Sequence, residues 1–178
     1  IHNVANNSNL YCINPEKDFT RKRKLTMEKL IVGIIGMESG SLSNELIDFF
    51  NTPADTPTAS AFCQQRCKIN SDAFHTVFCK FSQEILDSFK DDLPVLAVDG
   101  SKIQIPANPE DTDSFFPGAN GQKPYNLLHL NALYNLKHRI YDDVIIQKSK
   151  HSNEHKAFEM VDRSRLPKAL VIADRGYE

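Results

Sequence analysis

Two aspartates, Asp99 and Asp174, each follow a short apolar run and stand one or two residues before a glycine. Leu93–Ser101 reads LPVLAVDGS, in which Val95 to Val98 run straight into Asp99 and Gly100. Near the end of the chain Leu170-Val171-Ile172-Ala173 runs into Asp174, with Gly176 two residues on. A continuous apolar run this short, closed by a turn signal, predicts a strand buried on both faces. Each carboxylate is then expected where its strand and the core stop and a cleft begins. Side by side and parallel, the two strands bring both carboxylates out at one sheet edge. Paired carboxylates there form a site for Mg²⁺ or Mn²⁺, hard cations that take oxygen ligands. Taken singly, an Asp before Gly is as often a plain turn former.

Other groups with chemical potential have blander readings. Cys63-x3-Cys67 followed by His75-x3-Cys79 offers four zinc ligands, but the pairs stand closer than in finger patterns. Each pair is also i,i+4 in a helical segment, where such residues share a face; free thiols are the better reading. His151-x3-His155 with Glu154 lies at a helix start, where solvated polar residues are the rule. Asp142 and Asp143, in a strand, and Asp111 and Asp113, in a loop, read as solvated. His129 reads as a packed or hydrogen-bonded strand residue. Lys123, Lys137, Arg139 and Arg175 read singly as surface charge.

The elements that must position the two aspartates begin after a boundary at Asp91-Asp92-Leu93-Pro94. Pro106 to Tyr125 is a long polar loop, of the kind that is functional or mobile. Leu128, Leu130, Ala132 and Tyr134 alternate as one face of a strand, Asn135–His138 make a turn, and Ile140 to Gln147 return as a second strand. Asn153 to about Arg163 reads as a helix with Ala157, Phe158 and Val161 inward, and Pro167 precedes the last strand. The order strand, hairpin, helix, strand predicts a mixed sheet whose first and last strands pair in parallel.

Before the boundary the chain reads as helical. Residues 1–24 form a flexible lead-in, Asn-rich up to 17 and ending in the run Arg21-Lys22-Arg23-Lys24. Such a run is a solvated segment by default, and a phosphate-contacting arm where nucleic acid is the partner. Residues 25–90 form a helical unit. Met27, Leu30, Ile31, Ile34 and Ile35 give a stripe starting near Thr26; a second helix covers about Ser41 to Phe50, broken at Asn51-Thr52-Pro53. Thr56-Pro57 signals a third, with Thr as cap. It carries Gln64, Gln65, Arg66 and Lys68, side chains able to reach bases or phosphates. A fourth starts near Asn70, with Phe74, Val77, Phe78, Phe81 and Ile85 as its stripe.

Composition bounds the function. The 178 residues suit one domain, or a small domain with most of a larger one. A net charge of −2 leaves nucleic-acid contact to local basic patches. No run approaches the roughly 20 apolar residues of a membrane span, so no membrane role is expected. Four cysteines without a disulfide-framework pattern suggest reduced thiols in a cytoplasm. The chain begins at Ile1, as a piece of a longer protein does.

The stretches DFTRKRKLT, SAFCQQRCKI, VLAVDGSKI, LLHLNALYNL and VIADRGYE together resemble the DDE transposases of the IS4 type, over roughly Asp18 to Glu178. The resemblance implies an α/β fold: an N-terminal all-helical unit, then an incomplete ribonuclease H-like mixed sheet with a crossover helix over residues 91–178. In that family two Asp and one Glu hold two divalent metals, Mg²⁺ or Mn²⁺, that cut and rejoin DNA. Asp99 matches the first acid and Asp174, 75 positions on (174 − 99), the second. With the likeness added to the repeated pattern, both read as catalytic metal ligands. The third acid, on a helix beyond the second Asp, has no counterpart before Glu178, so a chain inactive alone is expected. The likeness further implies DNA partners (transposon ends and target), a homo-oligomer at full length and a bacterial, nucleoid-associated setting. Arg21, Lys22, Arg23, Lys24, Gln64, Gln65, Arg66 and Lys68 are the DNA-contacting candidates. A non-catalytic DNA-binding remnant that regulates a full-length copy is the alternative reading, and a cellular nuclease of the same fold a third.

Overall fold

The computed structural model describes every residue except 22, 53, 90–92, 120, 164–167 and 175–178, and omits the side chains of 157, 158 and 163. The chain divides into two units, Ile1–Lys80 and Phe81–Glu178.

In the first unit, side-chain caps set the helix starts. Thr26 accepts the Lys29 N–H and opens α2 (Met27–Gly36); Ser41 accepts the Asn44 N–H and opens α3 (Leu42–Phe50). Asn51, at φ 58°, ends α3 in the left-handed region that Asn tolerates. The cap of α4 (Ala59–Arg66) is Thr58, which accepts the Ala61 N–H, not Thr56. Thr56 instead closes the preceding turn through its hydroxyl on the Thr52 carbonyl. The long helix α5 spans Asp72–Leu86. Met27, Leu30, Ile31, Leu46, Phe62, Ile69 and Ala73 form the core. Of the α2 stripe, Ile35 turns outward and is 57% exposed; on α5, Phe81 is 60% exposed.

The Asn-rich start departs from a flexible lead-in. Residues His2–Asn6 form α1, Val4 is buried, and Cys12 bridges Ile69 in antiparallel fashion. The Ile13 N–H donates to the Lys68 carbonyl and the Asn70 N–H to that of Tyr11. A buried Val and a backbone pairing with a distant segment hold this stretch, and neither leaves a helical or strand period in the sequence.

The second unit is built on a five-stranded mixed sheet. Its strands are β1 (Val95–Ile105), β2 (Phe115–Phe116), β3 (Tyr125–Asn135), β4 (Ile140–Lys148) and β5 (Leu170–Ala173). β3 lies antiparallel to both β1 and β4, and β5 runs parallel to β1 on its other side. This is the arrangement expected of a ribonuclease H-like sheet, preceded by helices. The crossover from β4 to β5 contains a 3₁₀ turn, Glu154–Ala157, and then α6 (Phe158–Arg163), a shorter helix than expected. Met160 of α6 packs on Leu96, Val98 and Leu133. The inward positions expected at Ala157 and Phe158, and Pro167, lie outside the described residues.

Two strand expectations change. β1 does not end at Asp99: it continues to Ile105, where among the described residues it pairs with β3. Nor is it buried on both faces, since Leu96 and Val98 are buried while Val95 and Ala97 are half-buried.

Candidate metal centre and nucleic-acid interface

The parallel pairing sets the site. Leu96 stands opposite Val171, Ala97 opposite Ile172 and Val98 opposite Ala173, so the next position of each strand is Asp99 and Asp174. Neighbouring strands lie about 4.8 Å apart and alternate side chains share a face. The two aspartates thus leave the sheet side by side, on the face opposite Leu96, Val98 and Met160. Both are exposed.

Strand alternation explains how Asp99 is held. The Leu136 N–H donates to the Val95 carbonyl, so odd-numbered residues of β1 address β3; the Leu170 N–H donates to the Pro94 carbonyl, so even-numbered ones address β5. The Gly100 N–H therefore points past the end of β5. Asp99 takes it instead, at 2.8 Å to Oδ1. Two exposed carboxylates on adjacent strands are the hard-oxygen donor set that suits Mg²⁺ or Mn²⁺.

The other acids are not simply solvated. A register shift at Leu133/Tyr134 places Leu133 opposite Asp143 and Tyr134 opposite Tyr141. This bulge draws the intervening Asp142 inward as well. Asp143 is buried, and Asp142 keeps a buried Oδ2 with no hydrogen-bond partner among the described residues. Burial raises the Asp142 carboxyl above the ordinary carboxylate range, and neighbouring Asp143 raises it further. In the long loop Asp111 accepts from Lys148 Nζ at 2.6 Å and from the Ser114 hydroxyl at 2.7 Å. The Lys148 and Ser114 bonds hold its carboxyl below the usual range. Asp113 faces His151 Nε2 at 3.3 Å and Lys148 at 3.9 Å. Asn126, fully buried, donates to the Asn108 and Asp111 carbonyls and to Ser114 Oγ. The loop is therefore pinned to β3 and β4.

Among the histidines, His129 is buried and bonded to Asn131 at 3.2 Å. His155 is exposed, its N–H bound by Asn153 Oδ1 in a turn. Cys79 Sγ lies 3.6 Å from His75 Nε2, the shared helix face expected of an i,i+4 pair. All four cysteines are free thiols.

In the helical unit, Phe19 adopts φ 57° and packs against the core, which turns the chain outward into Thr20 and Arg21. Two cavities, of about 290 and about 370 Å³, flank this turn and share Thr20, Arg21 and Arg23. Gln65 and Glu28 line the first; Glu16, Lys17 and Lys68 line the second. The structure thus brings together Arg21, Arg23, Gln65 and Lys68. Lys24 is engaged elsewhere, donating to the Ala54 carbonyl at 2.7 Å beside Asp55 at 3.6 Å. Gln64 bonds Ser60 within α4, and Arg66 is exposed outside both linings. Lys22 and Arg175 lie outside the described residues. Lys17 and Thr20 were not singled out by sequence, because no pattern in DFT marks the turn that aims them.

No helix among the described residues is long and apolar enough to cross a membrane. No curated protein and no solved structure matches the chain. A family described as "Transposase DDE domain" matches residues 90–178, half of the 178. That half holds both strands that present Asp99 and Asp174, and the chain belongs to the DDE-domain transposase family.

Proposed function

We propose that this chain serves DNA transposition as an IS4-type transposase, with Asp99 and Asp174 as ligands of Mg²⁺ or Mn²⁺ and the helical unit as its grip on transposon-end DNA. Family membership implies divalent-metal chemistry and DNA as partner in general. The observation that carries the finer reading is the register: one step beyond Val98 opposite Ala173, two carboxylates stand on neighbouring strands. The chemistry such a cation supplies is activation of a water or a 3′-hydroxyl, and stabilisation of the leaving oxygen at a phosphodiester. The chain's own part is to hold Asp99 and Asp174 side by side and open to solvent. The basic run with Gln64, Gln65, Arg66 and Lys68 contacts phosphates and bases, with Arg21, Arg23, Gln65 and Lys68 meeting at one turn.

The test is Mn²⁺ titration followed by electron paramagnetic resonance on the wild type, Asp99→Asn and Asp174→Asn. Each substitution removes one charge at nearly constant shape. Affinity is expected to fall by at least about tenfold in each, since losing a ligand costs no less than losing an outer-shell partner. Unchanged affinity in both variants overturns the assignment.

A further inference from the structure

We infer that His129 and Asn131 are positioning residues for Asp99, acting through Gly100; the inference rests on the metal-ligand reading of Asp99. Up to Val98, β1 is held between β3 and β5; from Asp99 onward, among the described residues, β3 is the strand paired with it. Among the described residues, the hydrogen bond that orients the Asp99 carboxylate comes from the Gly100 N–H. Whatever fixes Gly100 therefore fixes the ligand.

On the opposite face of the sheet, Gly100 leaves room that two side chains fill. A Cβ at Gly100 would lie 2.9 Å from His129 Nε2, 3.0 Å from its Cε1 and 3.1 Å from Asn131 Oδ1. The imidazole and the amide thus rest on the backbone where a side chain would stand. Both are buried, His129 to 6% exposure and Asn131 to 0%. The contact continues outward: Asn131 Nδ2 donates to Gln147 Oε1 on β4 at 3.4 Å, and that oxygen also accepts the Asn153 N–H at 3.1 Å, ahead of α6. With Nδ2 so committed, Asn131 Oδ1 accepts at 3.2 Å, and the network assigns the proton of His129 to Nε2.

Packing alone does not account for an imidazole here. Among the described residues His129 Nδ1 is buried without a hydrogen-bond partner, and leaving a buried acceptor unpaired is unfavourable. A Leu at 129 fills the space without that loss, as Leu133 does further along the same face. What only the polar pair supplies is a directional tie between β3 and β4 that holds the imidazole and the amide against Gly100.

The experiment follows two readouts in His129→Leu, Gly100→Ala and His129→Gln, the last of which keeps a donor nitrogen at the Nε2 position. Ser101 is an odd-numbered residue whose N–H addresses β3, so its exchange with deuterium reports this pairing directly. In His129→Leu the Ser101 amide is expected to exchange about tenfold faster or more, with Val95–Val98 unchanged. Mn²⁺ affinity is expected to drop about tenfold in parallel, the lower end of an outer-shell loss. His129→Gln restores both. Gly100→Ala drives the imidazole off and gives the same local loosening, which decides the matter if His129→Leu does not fold. Ser101 exchange within about twofold of wild type, or uniform acceleration along β1, overturns the inference. If the wild type takes no Mn²⁺, the metal reading of Asp99 falls, while the exchange data still decide whether His129 holds Gly100.

Discussion

Replacing Arg21 and Arg23 together by Gln removes the two cations that line both cavities beside the Phe19 turn. Neither enters an ion pair among the described residues. Their charge is therefore available to phosphates, whereas Lys24 already faces Asp55 and Lys68 faces Asp18 at 3.7 Å. Each phosphate contact contributes about 0.9 to the slope of log K against log salt, so the pair contributes about 1.8. Over a fourfold rise, from about 50 to about 200 mM salt, wild type should lose about tenfold more affinity than the double variant. Lys24→Gln, which mainly breaks a contact with the 54–55 turn, should lower the slope by less than about 0.9. Fluorescence anisotropy of a labelled duplex across a salt series measures all three, and because this term is independent of sequence any duplex serves. An unchanged slope in the double variant, or an equal drop from Lys24→Gln alone, refutes the assignment of the turn as the phosphate-facing edge.

Two further outcomes follow from the sheet. Asp142→Asn should stabilise the fold at neutral pH, by on the order of 1 kcal/mol, because the amide keeps the shape and removes the charge that burial and neighbouring Asp143 disfavour. The sign is set by its raised folded-state pKa: the penalty for ionisation is absent below the unfolded value of about 3.9 and grows as pH rises through the folded one. Urea unfolding at acidic and neutral pH should show the gain only at the latter, and a less stable variant at neutral pH contradicts it. Hydrogen exchange tests β5, which among the described strands pairs with β1 alone. Leu170 and, by alternation, Ile172 donate towards β1, while Val171 and Ala173 face away; the latter pair should exchange about tenfold faster, and equal protection would mean that the outer edge is covered.

What the sequence made legible was local and periodic. Apolar periodicity placed α2 and α3 close to their observed starts, and Thr58 took the place of Thr56 as the α4 cap because a hydroxyl bond to Thr52 bound the earlier threonine into a turn. The apolar runs before Asp99 and Asp174 gave strands that pair in parallel. Contacts between distant segments were not legible. Nothing local announces that Cys12 pairs with Ile69, or that Asp111 and Asp113 meet Lys148 and His151 across the long loop. The bulge that draws Asp142 inward depends on the register of a strand pair, which alternation within one strand does not contain. Nor does an apolar run ending in Asp reveal that β1 runs on to Ile105, since the later part of that strand is sustained by β3 rather than by its own apolar residues.

β3 shows most clearly where pattern reading stops, and why that matters for the site. Alternation sorts it into Leu128, Leu130, Ala132 and Tyr134 on one face and His129, Asn131, Leu133 and Asn135 on the other. Hydrophobicity favours burying the first set, yet the second is the buried one and the first is half-buried. The polar face is tolerated because its amides find partners: Asn131 binds Gln147, and Asn135 Oδ1 accepts the Lys137 and His138 N–H groups of the turn. Register carries the consequence to β1. Gly100 stands opposite Asn131 and faces the buried side, whereas Asp99, opposite Ala132, faces the other. That other side keeps Ile103, Ile146, Leu170 and Ile172 between 40% and 62% exposed. The inversion thus leaves Asp99 and Asp174 on the sheet face that stays accessible, and the cation site proposed for them, acting on a backbone phosphate of a large polymer, has to open onto such a face.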